Sequence, residues 1–289
     1  MTDSNRIEPI FQTKAEIVDN RELASGLYWM DLRAPDIVAH ARPGHFVHIV
    51  VSDTTDHGHR SAWLRHTPLL RRPFSVAEID VDTGVLGIIY RVLGGGTEVL
   101  AGRKSGEFID VLGPMGATFE PIVEGRSALM VAGGVGIAPF FFLVQEAMRS
   151  GSVNPESISV FFGASSADLL SGHEKLKKHG INLSLATDDG SLGHRGFVTE
   201  LLIEELNHRP ERCDFLYACG PTPMMKGTQT IAGNFNRPGQ VSLEGIMPCG
   251  VGVCMACVVP CRKPGSDVYR YERVCHNGPV FDIQEVIFQ

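Results

Sequence analysis

The chain has 289 residues, room for two or three domains, and its 43% apolar and 20% charged residues are the balance of a globular protein. A net charge of −7 offers nothing to nucleic-acid phosphates, so no nucleic-acid partner is expected. Seven cysteines behind a polar, mixed-charge start (MTDSNRIEPIFQTK) argue against a signal or transit peptide and suit a reducing compartment, the cytoplasm.

Up to about Glu124 the pattern predicts strands. Ala15–Val18, Gly26–Leu32, Gly44–Val51 and Gly84–Val92 are short, rich in β-branched or aromatic residues, and separated by turn residues. That spacing points to a small antiparallel β-barrel. Ser52–Leu70 reads as a long polar loop, and its His57, His59 and His66 as solvated surface in preference to a metal site. Next comes Arg71-Arg72-Pro73-Phe74-Ser75-Val76. An arginine followed by proline, an aromatic and a hydroxyl can serve a flavin: the guanidinium pairs with a diphosphate, the ring lies on the isoalloxazine, and Ser75 reaches a ring nitrogen. A surface arginine beside a strand is the plain alternative. Ile89-Tyr90-Arg91 ends a strand, and Gly94-Gly95-Gly96-Thr97 turns into a short helix whose free N–H groups suit phosphate. Gly113-Pro114-Met115-Gly116 is a tight turn, weaker as a cofactor contact.

From Ser127 strands and helices alternate. Strands are expected at Ala128–Ala132, Ser157–Gly163, Asn182–Thr187 and Phe215–Cys219. Helices are expected at Phe140–Ser150, Ala167–His179, Thr199–Asn207 and Pro221–Asn234. This predicts an α/β doubly wound parallel sheet, which binds ligands at the carboxyl ends of its strands. Gly133, Gly134, Gly136 and Pro139 of GGVGIAP lie at such an end, as a dinucleotide turn. They also break the uncharged run Ser127–Gln145, so no membrane span is expected. Cys219, before Gly220-Pro221, reads either as a thiol touching a nicotinamide or as a buried structural cysteine. No arginine follows Gly163 to grip a 2′-phosphate, which leans to NAD over NADP.

From Val241 the chain is short and cysteine-rich. Cys249, Cys254 and Cys257 run C-x4-C-x2-C, with Cys275 following after a gap, the spacing of plant-type [2Fe–2S] centres. Gly250 and Gly252 let such a loop curl. A four-thiolate zinc site and disulfides are the alternatives, although zinc ribbons show two C-x2-C pairs and this chain has one. Cys261 reads as a bystander. The expected division is 1–124, 125–236 and 237–289 for flavin, nicotinamide and cluster.

A nicotinamide gives up two electrons together and a cluster takes one at a time, so a flavin must mediate. The chain shows no acid–base pair for a carbon substrate, which places the redox substrate on another polypeptide. In the order RRPFS, IYR, GGGT, GGVGIAP, CGP and C-x4-C-x2-C…C, the sequence resembles the ferredoxin reductase-like family. It is most similar to electron-transfer subunits of bacterial dihydroorotate dehydrogenase B, and Arg273–Phe281 (RVCHNGPVF) adds to the match. The resemblance implies FAD at Arg72, Pro73, Phe74, Ser75, Ile89, Tyr90, Arg91, Gly96 and Thr97, and NAD at Gly133–Pro139. It implies [2Fe–2S] ligation by Cys249, Cys254, Cys257 and Cys275. It also implies an FMN-containing catalytic partner in a heterotetramer that oxidises dihydroorotate for pyrimidine synthesis. The alternative is a homologous reductase subunit serving a hydrogenase, a sulfide dehydrogenase or a transhydrogenase. Phe74 stands where many of the family carry tyrosine, which keeps the stack and loses a hydroxyl.

Overall fold

The structure, a computed structural model, describes residues 9–51, 69–263 and 268–288. The expected loop with His57, His59 and His66 therefore lies outside the described residues, apart from Leu69 and Leu70.

Seven strands form the first sheet: β1 (Phe11–Ala24), β2 (Leu27–Arg33), β3 (Phe46–Ile49), β4 (Arg72–Ser75), β5 (Glu78–Asp80), β6 (Val85–Arg91) and β7 (Phe108–Met115). Their order is β4-β3-β7-β1-β2-β6-β5, and every pairing is antiparallel. Alternation fills the concave side: Ala15 and Ile17, Met30 and Leu32, Val47 and Ile49 point inward and are buried. The sheet curls until Phe74 on β4 meets Tyr90 on β6, ring centroids 5.8 Å apart. The expected barrel is thus a strongly curled sheet. Helices α1 (Pro35–His40) and α2 (Gly95–Ala101) lie in its connections. β1 is far longer than the expected strand, and α1 had no clear signal because Pro35 opens only six residues.

The second sheet uses β8 (Ala128–Gly133), β9 (Ile158–Ala164), β10 (Asn182–Thr187), β11 (His194–Arg195), β12 (Phe215–Cys219) and β13 (Gly239–Ser242), all parallel. Helices α3 (Ala138–Arg149), α4 (His173–Lys177), α5 (Val198–His208) and α6 (Thr222–Asn234) connect them. The strand order is β11-β10-β9-β8-β12-β13. The chain winds outward from β8 on one side, then crosses to β12 on the other, so the topological switch lies between β8 and β12. The helix expected over Ala167–His179 is a correction. It splits into a 3-10 turn (Ala167–Leu170) and α4, because Gly172 between them takes a left-handed φ of 93°. The break lets both Leu170 and Leu176 reach the core.

The cysteine-rich segment adds a hairpin, β14 (Val258–Arg262) with β15 (Tyr269–Arg273), and a last strand, β16 (Val280–Asp282). β16 pairs antiparallel with β13 and so closes one edge of the second sheet. Burial follows the same lines. Leu27, Trp29 and Ile89 of the curled sheet share a core with Phe140, Phe141 and Phe162 of the α/β part. Phe46 and Met115 share another with Cys257, Cys275 and Phe281. Three stretches of sequence thus meet without solvent between them.

Candidate functional site

A cleft of about 450 Å³, a size small cofactors occupy, runs over β4, the end of β6 and the start of α2. Its lining includes Arg72, Pro73, Phe74, Ser75, Ile89, Tyr90, Arg91, Gly96 and Thr97. The two neighbouring arginines have different surroundings. Arg71 pairs with Asp110 (Nη2 to Oδ1, 2.6 Å) and donates to the His48 carbonyl at 3.1 Å, so it ties β3, β4 and β7 together. Among the described residues, Arg72 donates to the Leu70 and Arg71 carbonyls, and it lines the cleft opposite Gly96. Tyr90 stacks on Tyr28 (5.5 Å, 18°) and donates its hydroxyl to Asn20 Oδ1 at 2.9 Å. Burial raises its hydroxyl well above the ordinary range, so it serves as a wall and not as an acid. Thr97 Oγ1 accepts from the N–H of Leu93 (2.9 Å) and Gly94 (3.3 Å), which fixes the glycine turn.

The other two segments enter the same cleft. Val135 and Ala138 come from the GGVGIAP turn, while Leu243, Glu244, Gly245, Met247 and Pro279 come from the cysteine-rich segment. Sequence reasoning missed these last five, along with Phe46. Leu243–Met247 follow the carboxyl end of β13, and only the sheet order places that end beside the glycine turn. Glu244 is open to water on one side, yet crowded enough that desolvation raises its carboxyl above the ordinary value.

At the switch point, the turn after β8 packs against the end of β12. A Cβ on Gly136 would lie 2.4 Å from the Cys219 carbonyl oxygen, and one on Gly133 would lie 2.6 Å from Pro221 Cδ. Gly133, Gly134, Gly136 and Pro139 thus form the floor of the crevice and do not line the flavin-type cleft itself. Cys219 is buried, and burial with the nearby Glu244 charge holds its thiol well above the ordinary value. A thiol so held is slow to ionise. The tight turn expected at Gly113–Gly116 is instead the end of β7 and the bend after it; it lies outside the cleft, with Gly116 against Gly278 and Pro279. Gly136→Ala is expected to destabilise the fold by about 1–3 kcal/mol through overpacking. It should also raise the nicotinamide KM, and thermal melts with steady-state kinetics check both.

The four cysteines stand as two pairs. Cys257 Sγ and Cys275 Sγ are 3.2 Å apart, far beyond the about 2.05 Å of a disulfide. The Cys249 thiol lies within hydrogen-bond reach of the Cys254 thiol. Burial works to raise the Cys249 thiol, but the N–H groups of Cys254, Val251 and Val253 outweigh it and bring the value down to about 6. Cys275 is pushed up to about 12 by burial and by the Cys257 thiol. Among the described residues, no three His, Cys, Asp or Glu side chains converge on one ion position. Two thiols at each of two corners is the donor set of a binuclear cluster; a single zinc needs all four around one point. Gly250 (φ 70°) and Gly252 (φ 78°) curl the loop, and the Gly252 N–H donates to Cys275 Sγ at 3.2 Å. Arg273 Nη1 holds the Gly252 carbonyl at 2.8 Å while its backbone N–H donates to Asn277 Oδ1 at 3.1 Å. Cys261 stands apart in β14, with its thiol pushed up to about 11 by burial.

Known proteins share this arrangement. Residues 244–287 match the family described as the iron–sulfur cluster binding domain of dihydroorotate dehydrogenase B, and residues 130–230 match the oxidoreductase NAD-binding domain. The electron transfer subunit of dihydroorotate dehydrogenase B (NAD(+)) from Desulforamulus reducens is 36% identical over 267 residues, 92% of this chain and 95% of that one. Its counterpart from Bacillus velezensis is 37% identical over 273 residues, 93% and 96% of the two chains. Among solved structures, the NADH-dependent reduced ferredoxin–NADP oxidoreductase of flavin-based electron bifurcation superposes with a TM-score of 0.77 at 31% identity, over 96% of this chain and 90% of that one. The ferredoxin reductase of carbazole 1,9a-dioxygenase, at 21% identity and a TM-score of 0.64 over 80% and 68%, shares the fold.

Proposed function

Since the chain belongs to the family of dihydroorotate dehydrogenase B electron transfer subunits, we propose that it carries electrons from an FMN-containing partner, where dihydroorotate becomes orotate, to NAD. It is an oxidoreductase component with FAD, a [2Fe–2S] cluster and NAD as its cofactors. When bound, the flavin supplies the exchange between hydride and single electrons that neither other group can make. The observation that carries the reading is the shared cleft: residues of all three segments line one wall-to-wall space.

Within that space Arg72 and the Gly94–Thr97 turn would take the FAD diphosphate, Phe74 and Tyr90 would flank the ring system, and Ser75 would reach a ring nitrogen. Glu244 is a carboxylate of the cleft lining, raised above its ordinary value by desolvation. Gly133–Pro139 would receive the nicotinamide nucleotide over the floor that Cys219 completes. Cys249 with Cys254, and Cys257 with Cys275, would each hold one iron. We assign 1–124, 125–236 and 237–289 to flavin, nicotinamide and cluster, respectively, with β13 and β16 of the last segment extending the second sheet.

An electron transfer subunit works with a catalytic partner, and the cysteine loop suits a docking face. Ile246 (83% exposed), Val253 (78%) and Met255 (52%) present apolar side chains around the exposed Cys254. Apolar side chains on this scale, beside a redox centre, suit a partner that covers them. We assign this face to the FMN subunit, in a cytoplasmic heterotetramer. No described helix is long and apolar enough to cross a membrane. Val253→Asp is expected to leave the cluster spectrum unchanged and to weaken partner binding at least tenfold, since it buries an unpaired charge. Titration of the holo protein with the partner measures this.

A second reading, a subunit of a pyridine-nucleotide transhydrogenase, is favoured by the 31% likeness to the bifurcating oxidoreductase. The test is purification with the native partner. An FMN barrel that reduces NAD from dihydroorotate only when this subunit, with its flavin and two irons, is present supports the main reading. A larger flavoprotein partner with no dihydroorotate activity overturns it.

A further inference from the structure

His48 sits on β3 and is completely buried, at 0% exposure. Alternation along β3 sends Val47 and Ile49 into the curled sheet and Phe46 and His48 outward, toward the cysteine-rich segment. Among the described residues, neither ring nitrogen of His48 has a hydrogen-bond partner. Leaving a buried polar atom unpaired is costly, so a fully buried imidazole with two such atoms is a site waiting for an acceptor.

The ring lies beside the cysteine loop. Nδ1 lies against the Cα of Gly250, so close that a Cβ built there would be 2.5 Å away. Gly250 immediately follows the ligand Cys249 in the loop whose sulfurs the cluster would occupy. The Met247 carbonyl lies nearby and favours the charged ring, but it does not reach hydrogen-bond geometry. Burial and then the Arg71 charge lower the ring to about 4, so it is a neutral imidazole with one N–H to give. Phe46, two residues earlier on the same side of β3, lines the flavin cleft. His48 therefore stands in the wall between cleft and cysteine loop.

We propose that His48 donates a hydrogen bond from Nδ1–H to the iron–sulfur cluster at Cys249 and, as a positioning residue, raises the cluster's reduction potential. The inference rests on the cluster reading of the four cysteines. N–H donors to cluster sulfurs stabilise the reduced, more negative state, which is how proteins tune such centres. The loop already supplies one such donor, Gly252 N–H to Cys275 Sγ at 3.2 Å. His48 would add a side-chain donor near the Cys249 pair.

The test uses the holo protein with its flavin and cluster. In the wild type labelled with ¹⁵N in its histidine rings, pulsed EPR of the reduced cluster should detect a weakly coupled ring nitrogen. The coupling should persist in His276→Gln, which removes the ring next to Cys275, and vanish in His48→Phe. An EPR-monitored redox titration of His48→Phe should show a cluster about tenfold harder to reduce, a midpoint lower by about 59 mV. A cluster that assembles in His48→Phe at the wild-type midpoint overturns the proposal. So does the absence of ring-nitrogen coupling in His276→Gln, a readout that stands even where His48→Phe does not fold. If the wild type itself assembles no [2Fe–2S] cluster, the cluster reading fails first, and the two failures are told apart.

Discussion

Replacing Cys254 with serine is expected to give a protein that keeps its flavin and has no iron–sulfur spectrum. Cys254 is exposed, so its sulfur carries little of the packing, unlike Cys257 and Cys275 in the core beneath. Its contribution is as one of two thiolates at the Cys249 corner. A thiolate bond to iron is both soft and charged, and a serine hydroxyl with its much higher proton affinity replaces neither property. The flavin-type cleft is lined by Leu243, Glu244, Gly245, Met247 and Pro279 from this segment, with no cysteine among its walls, so it stays intact. Iron and flavin counts on the purified variant, with EPR after reduction, make the measurement. An unchanged cluster signal would refute the ligand assignment and move attention to Cys261. The buried Cys257→Ser should lose the cluster and also some stability, because it places a hydroxyl in the apolar core shared with Phe46 and Val274.

The second large effect is expected at Arg72. Arg72→Ala should weaken FAD by about 1.5–3 kcal/mol, the worth of charge-assisted hydrogen bonds to a diphosphate, or roughly 10- to 150-fold in Kd. Flavin fluorescence on dilution of the holo protein reads this directly. The neighbouring residue supplies the control. Arg71→Ala breaks the 2.6 Å pair with Asp110 and the bond to the His48 carbonyl, so it should lower the melting temperature. Its effect on flavin affinity should be smaller than that of Arg72→Ala. Equal flavin occupancy in wild type and Arg72→Ala at low protein concentration would count against the diphosphate assignment.

Local sequence carried the alternating strands and helices from Ser127, because each βαβ unit writes its own periodicity. The cysteine spacing and the glycine turns were legible for the same reason: each is a short-range geometric demand. Long-range pairings were not. β1 pairs with β7 with Phe11 opposite Gly113, and no pattern within either strand announces that register. The cleft's third wall stayed hidden because Leu243–Met247 reach it only through the place of β13 in the sheet. That RRPFS would line a cleft was legible because an arginine, a ring and a hydroxyl in sequence state a shared chemistry. Which arginine faces the cleft needed Asp110, which lies far along the chain on β7. His48 gave no signal at all, since a histidine between Val47 and Ile49 reads as one more strand residue until the loop above it is placed.

The antiparallel return of β16 onto β13 has a mechanical result. The cysteine loop leaves the second sheet from one strand and comes back to it through the adjoining one, so both of its ends are anchored in the same slab. Its two ends are held beside each other. A cluster held by this loop would keep a fixed separation from a flavin in the cleft.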